Sequence, residues 1–135
     1  MLEHLLDTDF CVHVIRRRRP ELLARLNAAQ GRVAVSTITV TELVRGANVS
    51  AKPEVNRDIV HAFLSHTAVL PFDSAAAEEA GAILADLERR GCIIGPYDTL
   101  IAGHARSLGF CLVTGNRREF DRVPGLRCED WAGPE

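Results

Sequence analysis

Arg32-Val33-Ala34-Val35-Ser36, running straight into Thr37-Ile38-Thr39-Val40-Thr41-Glu42-Leu43-Val44-Arg45-Gly46-Ala47, decides the fold class. The first five residues form a short apolar run after Gly31, the pattern of a strand. A Ser/Thr cap follows, and from residue 37 to about 47 the apolar positions change to helical spacing. A strand that feeds directly into a helix is half of a crossover, and crossovers are what parallel strands need.

The same alternation recurs on both sides. Residues 4–7, with Leu5 and Leu6, read as a buried strand, followed by a helix over 10–17 and, past Pro20, a second over 21–29 with Leu22, Leu23 and Leu26 on one face. Downstream, residues 53–64 make a helix with Val55, Ile59 and Phe63 in register, and 68–71 a third strand. Asp73 or Ser74 caps a helix whose inward stripe is Ala76, Ala80, Ile83 and Leu87, with Gly91 past its end. Gly95-Pro96 marks a turn before a helix over 97–108 that turns Ile101, Ala102, Ala105 and Leu108 inward. A strand over 110–114, one helical turn over 117–121 and a last strand over 126–129 complete the chain. The expected architecture is α/β: one domain over residues 1–135, with a mainly parallel sheet of about five short strands flanked by helices.

The chain of 135 residues is 47% hydrophobic and 25% charged, ordinary globular values. No apolar run approaches the roughly 18 residues of a membrane span, and residues 1–7 carry acids where a secretory leader would be basic and then apolar. The expectation is a cytoplasmic protein. A net charge of -2 and a pI near 6.2 fall short of the pI above about 9 expected of a whole-domain nucleic-acid binder, so a nucleic-acid site has to be a local patch. Lys52 is the only lysine among 16 basic residues, and Arg presents a planar fork suited to phosphate. Cys11, Cys92, Cys111 and Cys128 form no C-x-x-C and read as reduced packing residues.

Ligands in open α/β sheets gather outside the carboxyl ends of the strands. Asp7 stands there, directly after Leu5-Leu6, although a helix cap would also take an Asp and Asp9 competes for that role. Glu42 lies four residues after Ile38 and one before Leu43, at the edge of a buried stripe. Asp98 precedes Ile101 and Ala102 by three and four residues and shares their inward face. Thr114, Asn116 and Glu119 follow the fourth strand, where they also fit a turn and a solvated acid. Brought together, these carboxylates would repel in a partly buried cleft, and a divalent cation relieves that. Oxygen donors suit Mg2+ or Mn2+ better than zinc, and such an ion activates water against a phosphodiester.

Four segments carry a resemblance: Leu5-Leu6-Asp7-Thr8-Asp9; Ser36-Thr37-Ile38-Thr39-Val40-Thr41-Glu42-Leu43; Ile94-Gly95-Pro96-Tyr97-Asp98-Thr99-Leu100-Ile101-Ala102; and Leu112-Val113-Thr114-Gly115-Asn116-Arg117-Arg118-Glu119-Phe120. In this order they resemble the motifs of PIN-domain ribonucleases of the VapC toxin type, as does the ending Val123-Pro124-Gly125-Leu126-Arg127 with Trp131. The resemblance implies a metal-dependent endoribonuclease toxin of a type II toxin–antitoxin module. Such an enzyme cuts structured RNA, often tRNA, and is neutralised by a cognate antitoxin, as a homodimer within a larger assembly. It implies Asp7 and Asp98 as metal ligands, Glu42 and Glu119 as further catalytic acids, and Thr8 and Thr114 as supporting hydroxyls. The family usually has Asn where this chain has Asp9, and many members have Asp where it has Asn116, so the roles of Asp9, Asn116 and Glu119 stay open.

Arg16, Arg17, Arg18 and Arg19 form the densest basic run and Arg117 and Arg118 adjoin Asn116; both groups are candidates for RNA phosphates, the first also a solvated helix end. The five histidines lack ligand spacing, and the aromatics are too few for a base-stacking platform. Two other readings remain. Asp7-Thr8-Asp9 after a strand resembles the opening of haloacid-dehalogenase-like phosphatases, but these need a lysine near the phosphate and Lys52 sits in a turn before Pro53. A catalytically degenerate PIN module that only binds is the other, and the acids at 7, 42 and 98 argue against it.

Overall fold

In chain order the elements are β1 (His4–Leu6), α1 (Thr8–Ile15), α2 (Pro20–Ala28), β2 (Val33–Ser36), α3 (Thr37–Asn48), α4 (Pro53–Leu64), β3 (Ala68–Leu70), α5 (Ser74–Arg89), α6 (Pro96–Leu108), β4 (Cys111–Val113), α7 (Arg117–Phe120) and β5 (Cys128–Glu129). They come from a computed structural model that describes residues 1–17 and 19–132. The expected α/β class, with a parallel five-stranded sheet, is what forms. The strand order is β3-β2-β1-β4-β5 and every pairing is parallel.

Register divides the core in two. Leu5 pairs with Ala34 and Leu112, and these three face a cluster with Ile83, Leu87, Ile101, Ala105 and Phe120 of α5, α6 and α7. Leu6 pairs with Val35 and Val113, which face the other way onto Phe10, Cys11, Leu22, Leu43 and Val60 of α1 to α4. Strands buried on both faces are apolar at every position, which is why Leu5-Leu6 and Val33-Ala34-Val35 read as continuous runs. From β1 the chain winds outward through β2 and β3, then crosses back to lay β4 on the other side of β1. The order therefore reverses between β1 and β4, and ligands collect outside the carboxyl ends at such a switch point.

Helix packing sets where α6 enters that end of the sheet. Gly103 lies so close to α5 that a Cβ there would come within 2.6 Å of the Ala80 backbone. Gly109, left-handed at φ 69°, ends α6 and returns the chain to β4.

Some expectations need correcting. Helix α1 starts at Thr8, two residues ahead of the expected 10, because Asp7 caps it. In α4 the buried residue is Val60, whereas Val55 and Ile59 are 53% and 42% exposed. One helical position is about 100° of rotation, so α4 turns its apolar stripe partly outward. Leu23 and Leu108 are exposed as well: Leu22 and Leu26, four apart, take the inward face of α2, and Leu108 is the last residue of α6. All four cysteines are free, and Cys11 and Cys111 are buried, in keeping with packing roles.

Candidate active site

Asp7 leaves the end of β1 buried, its N–H donating to the Val113 carbonyl at 3.0 Å and its Oδ1 accepting from the Phe10 N–H at 2.7 Å. Capping thus accounts for one oxygen. Burial raises its carboxyl from the usual 3.8 to about 7; hydrogen bonds from Thr114 and Phe10 oppose this, and the charges of Asp9 and Asp98 add to it.

Asp98 comes from the first turn of α6 and is half-buried. Its carboxyl is raised to about 6, first by desolvation and then by Glu119 and Glu42, with a hydrogen bond to Glu119 and the Asp9 charge in the same direction. Gly95 is the N-cap of this helix, and its backbone lies beside the Asp98 carboxylate. Glu119, from α7, accepts from Asn116 Nδ2 at 3.0 Å, and the Asn116 N–H donates to Thr114 Oγ1 at 2.8 Å. Glu42, on α3, accepts at Oε1 from Thr8 Oγ1 at 2.6 Å, and that hydroxyl lies 3.1 Å from Thr39 Oγ1.

The chain thus gathers Asp7, Asp98, Glu42 and Glu119 at the switch point, with Thr8, Thr114 and Asn116 tied to individual carboxylates. Asp9 is exposed at the rim, 3.5 Å from His13 Nε2. Among the described residues no Arg or Lys forms an ion pair with Asp7, Glu42, Asp98 or Glu119. Burial first, and then mutual repulsion among these acids, hold Asp7 and Asp98 toward neutrality. The donor set is all oxygen, which fits Mg2+ or Mn2+.

Two apolar-lined grooves, of about 380 and 480 Å³, lie away from this chemistry, the first between α1, α3 and α4 and the second over α5 and α6. The family model for the PIN domain matches residues 4–126. The tRNA(fMet)-specific endonuclease VapC of Shigella flexneri is 46% identical over 132 residues, covering 98% of this chain and all of that one. This chain belongs to the PIN-domain family of VapC ribonucleases. VapC from the DNA-bound VapBC crystal structure of Salmonella typhimurium superposes with a TM-score of 0.94 at 45% identity, over 97% of this chain and 99% of that one. For VapBC2 of Rickettsia felis, bound to a promoter DNA fragment, the TM-score is 0.91 at 33% identity over 96% and 99%. VapC membership sets the phosphatase reading aside, and Lys52, exposed at the cap of α4, stands at no strand end.

The basic run divides. Arg16, exposed at the end of α1, lines the α1–α3–α4 groove with Val12, Ile15 and Ile59 and does not flank the acidic mouth. Nine residue steps along α1 carry it about 13 Å from Asp7. Arg17 turns the chain there at φ 54°, and Arg18 lies outside the described residues. Arg19 comes back to the mouth, lining a small cavity with Asp9, His13 and Gly115 and donating to Glu21 Oε1 at 2.6 Å. Arg117 and Arg118 are exposed on α7 beside Glu119, with Arg117 3.8 Å from Asp121. Two residues at the site escaped the sequence reading. His13 follows Asp9 by four and Thr39 precedes Glu42 by three, and those helical spacings were the available signal.

Proposed function

We propose that this chain is a Mg2+- or Mn2+-dependent endoribonuclease toxin that cuts tRNA, with initiator tRNA the first substrate to test, and that a cognate antitoxin holds it in check. What carries the reading is the convergence of four carboxylates at the switch point, two of them pushed up to about 7 and about 6. A catalytically idle binding module has no use for that strain. The substrate follows from the names of the Shigella and Salmonella relatives, both tRNA(fMet)-specific endonucleases.

Asp7 and Asp98 would hold the ion, which when bound supplies charge against the scissile phosphate and activates a water. Thr114 and the Phe10 N–H orient the Asp7 carboxylate, and Asn116 aims Glu119 across the cleft at Asp98. Thr8 holds Glu42 from the opposite wall. Asp9 stays at the rim, where it acts on approach of the substrate. Arg19, Arg117 and Arg118 flank the mouth and serve the phosphate backbone, reading structured RNA by shape.

The antitoxin supplies a basic side chain to the cleft in place of the ion. Its apolar anchors lie in the groove lined by Val12, Ile15, Leu43 and Ile59. The complex assembles on a homodimer of this chain in the cytoplasm. The test is cleavage of initiator and elongator tRNAs with Mg2+ or Mn2+, with and without EDTA, by the wild type and Asp98→Asn. Cleavage of the initiator that needs the ion and Asp98 is the expected result; ion-independent cleavage, or none of any tRNA, refutes the reading.

A further inference from the structure

A second set of ligand-bearing side chains meets away from the acidic cleft. His4 at the start of β1, Cys111 at the start of β4 and Glu129 at the end of β5 each offer one ligand atom, and the three lie within 4.8 Å of one another. Among the described residues it is the one set of three so closely drawn; the catalytic acids are not. Register explains it. His4 stands opposite Cys111, and Glu129 stands opposite Val113, two residues on and on the same side of the sheet. His4 and Cys111 each precede Asp7 and Thr114 by three residues, about 10 Å back along the strands. The set therefore shares no residue with the cleft.

The surroundings are those of a held site. Nδ1 of His4 is buried with no hydrogen-bond partner, and the ring meets Trp131 edge-on at 5.3 Å. Trp131 Nε1–H donates to Glu129 Oε2 at 2.8 Å and orients that carboxylate, while the Arg25 guanidinium covers the indole at 5.1 Å. Cys111 is a buried free thiol. Packing explains the indole bond and leaves the His4 nitrogen unexplained.

We propose that His4, Cys111 and Glu129 form a second metal site, for a divalent ion of the zinc class. Imidazole nitrogen, thiolate sulfur and a carboxylate oxygen are borderline-soft donors, and three protein ligands leave a fourth position for water. Closing the set by about 1 Å meets bonds of about 2.0–2.3 Å. On coordination the Cys111 thiol gives its proton to solvent and the resulting thiolate forms the metal–sulfur bond. The donor chemistry is opposite to the all-oxygen cleft, so the two sites take different ions. The ion ties β1 and β4 to β5, an edge strand of two residues whose Glu129 carbonyl accepts the Thr114 N–H at 3.0 Å. It clamps the edge that sets Thr114 beside Asp7.

The experiment titrates the full-length chain, stripped of metal, with Co2+ and then Zn2+ under excess Mg2+, which saturates the cleft. One equivalent of Co2+ giving a thiolate-to-cobalt charge-transfer band, displaced by Zn2+ with a rise in melting temperature, is expected. Cys111→Ser abolishes the band, Glu129→Gln weakens zinc binding, and Trp131→Phe weakens it about tenfold. Cys128→Ser and Asp98→Asn leave it unchanged. No thiolate band in the wild type, a band that survives Cys111→Ser, or zinc binding lost in Asp98→Asn overturns the proposal. Exposed Glu129 keeps it falsifiable should Cys111→Ser not fold.

Discussion

Asp7→Asn separates charge from shape at the centre of the cleft. Burial raises the Asp7 carboxyl from 3.8 to about 7 in the folded protein, whereas the unfolded chain keeps the ordinary value. Between these two values the folded state binds a proton that the unfolded state has released. Stability of the metal-free protein therefore falls as pH rises from about 4 to about 7 and levels off above that. At about 1.36 kcal/mol per pH unit, a shift of about three units amounts to roughly 4 kcal/mol at pH 8, an upper figure because neighbouring acids and water relax. Asn keeps an oxygen for the 2.7 Å bond from the Phe10 N–H, so the cap survives and the charge goes. In EDTA at pH 8 the variant should melt above the wild type by up to about 12–20 °C, at about 3–5 °C per kcal/mol. The gap should close toward pH 4, and saturating Mg2+ should narrow or reverse it, since the wild type alone gains the binding energy. Activity should be lost throughout. Circular-dichroism melts at pH 4, 6 and 8, with EDTA and with Mg2+, decide it. A wild type as stable as Asp7→Asn at pH 8 in EDTA, or a gap independent of pH, would refute the electrostatic account.

Gly103→Ala should destabilise by about 1–2 kcal/mol in thermal melts, because overpacking against the Ala80 backbone outweighs the roughly 1 kcal/mol of helix propensity gained. Gly46→Ala, with nothing within 4 Å, should do the opposite. Arg117→Ala with Arg118→Ala should weaken tRNA binding and flatten its salt dependence by about 0.7–0.9 log unit per lost contact, with turnover at saturating tRNA little changed; Arg16→Ala should leave the salt slope alone. Ile59→Asp, on the exposed side of α4, should keep ribonuclease activity and release it from antitoxin inhibition by at least about tenfold, read as activity against added antitoxin.

The strands were legible because their apolar runs have no other reading, yet their ends were set across the sheet. The stretch 110–114 shrinks to Cys111–Val113 because its neighbour β1 offers only His4, Leu5 and Leu6 as partners. Likewise 126–129 shrinks to Cys128–Glu129 opposite Leu112 and Val113. The strand order, which creates the site by placing β1 between β2 and β4, has no local signature. Strand-end position and helix phase pointed to Asp7, Glu42 and Asp98, but the wiring was hidden. Thr8 finds Glu42 34 residues away, and Asn116 spends its amide on Glu119. The His4–Cys111–Glu129 set has no ligand spacing at all, since strand register alone assembles it.

The part of the α4 stripe that stays exposed has the most to say about partners. Val55, Ile59 and Phe63 recur at helical spacing, a pattern that normally records a buried face. The core uses Val60 instead and leaves Ile59 lining the groove beside Val12, Ile15 and Leu43, with Val55 exposed nearer the start of the helix. Singly exposed apolar residues need no explanation, but one that lines a groove with other apolar side chains offers a place to bury a partner's side chain. Phe63 does pack against the core, so Ile59 is the member of the stripe left open to a partner in the groove. The groove takes Val12, Ile15 and Arg16 from the second half of α1, so a partner segment anchored on Ile59 would have to run back about 8 Å along α1, from Val12, to reach Asp7. Inhibition and anchoring then draw on different chemistry, charge at the cleft and apolar burial along the helices. A partner tail that loses its basic residue should accordingly remain bound while the ribonuclease becomes active.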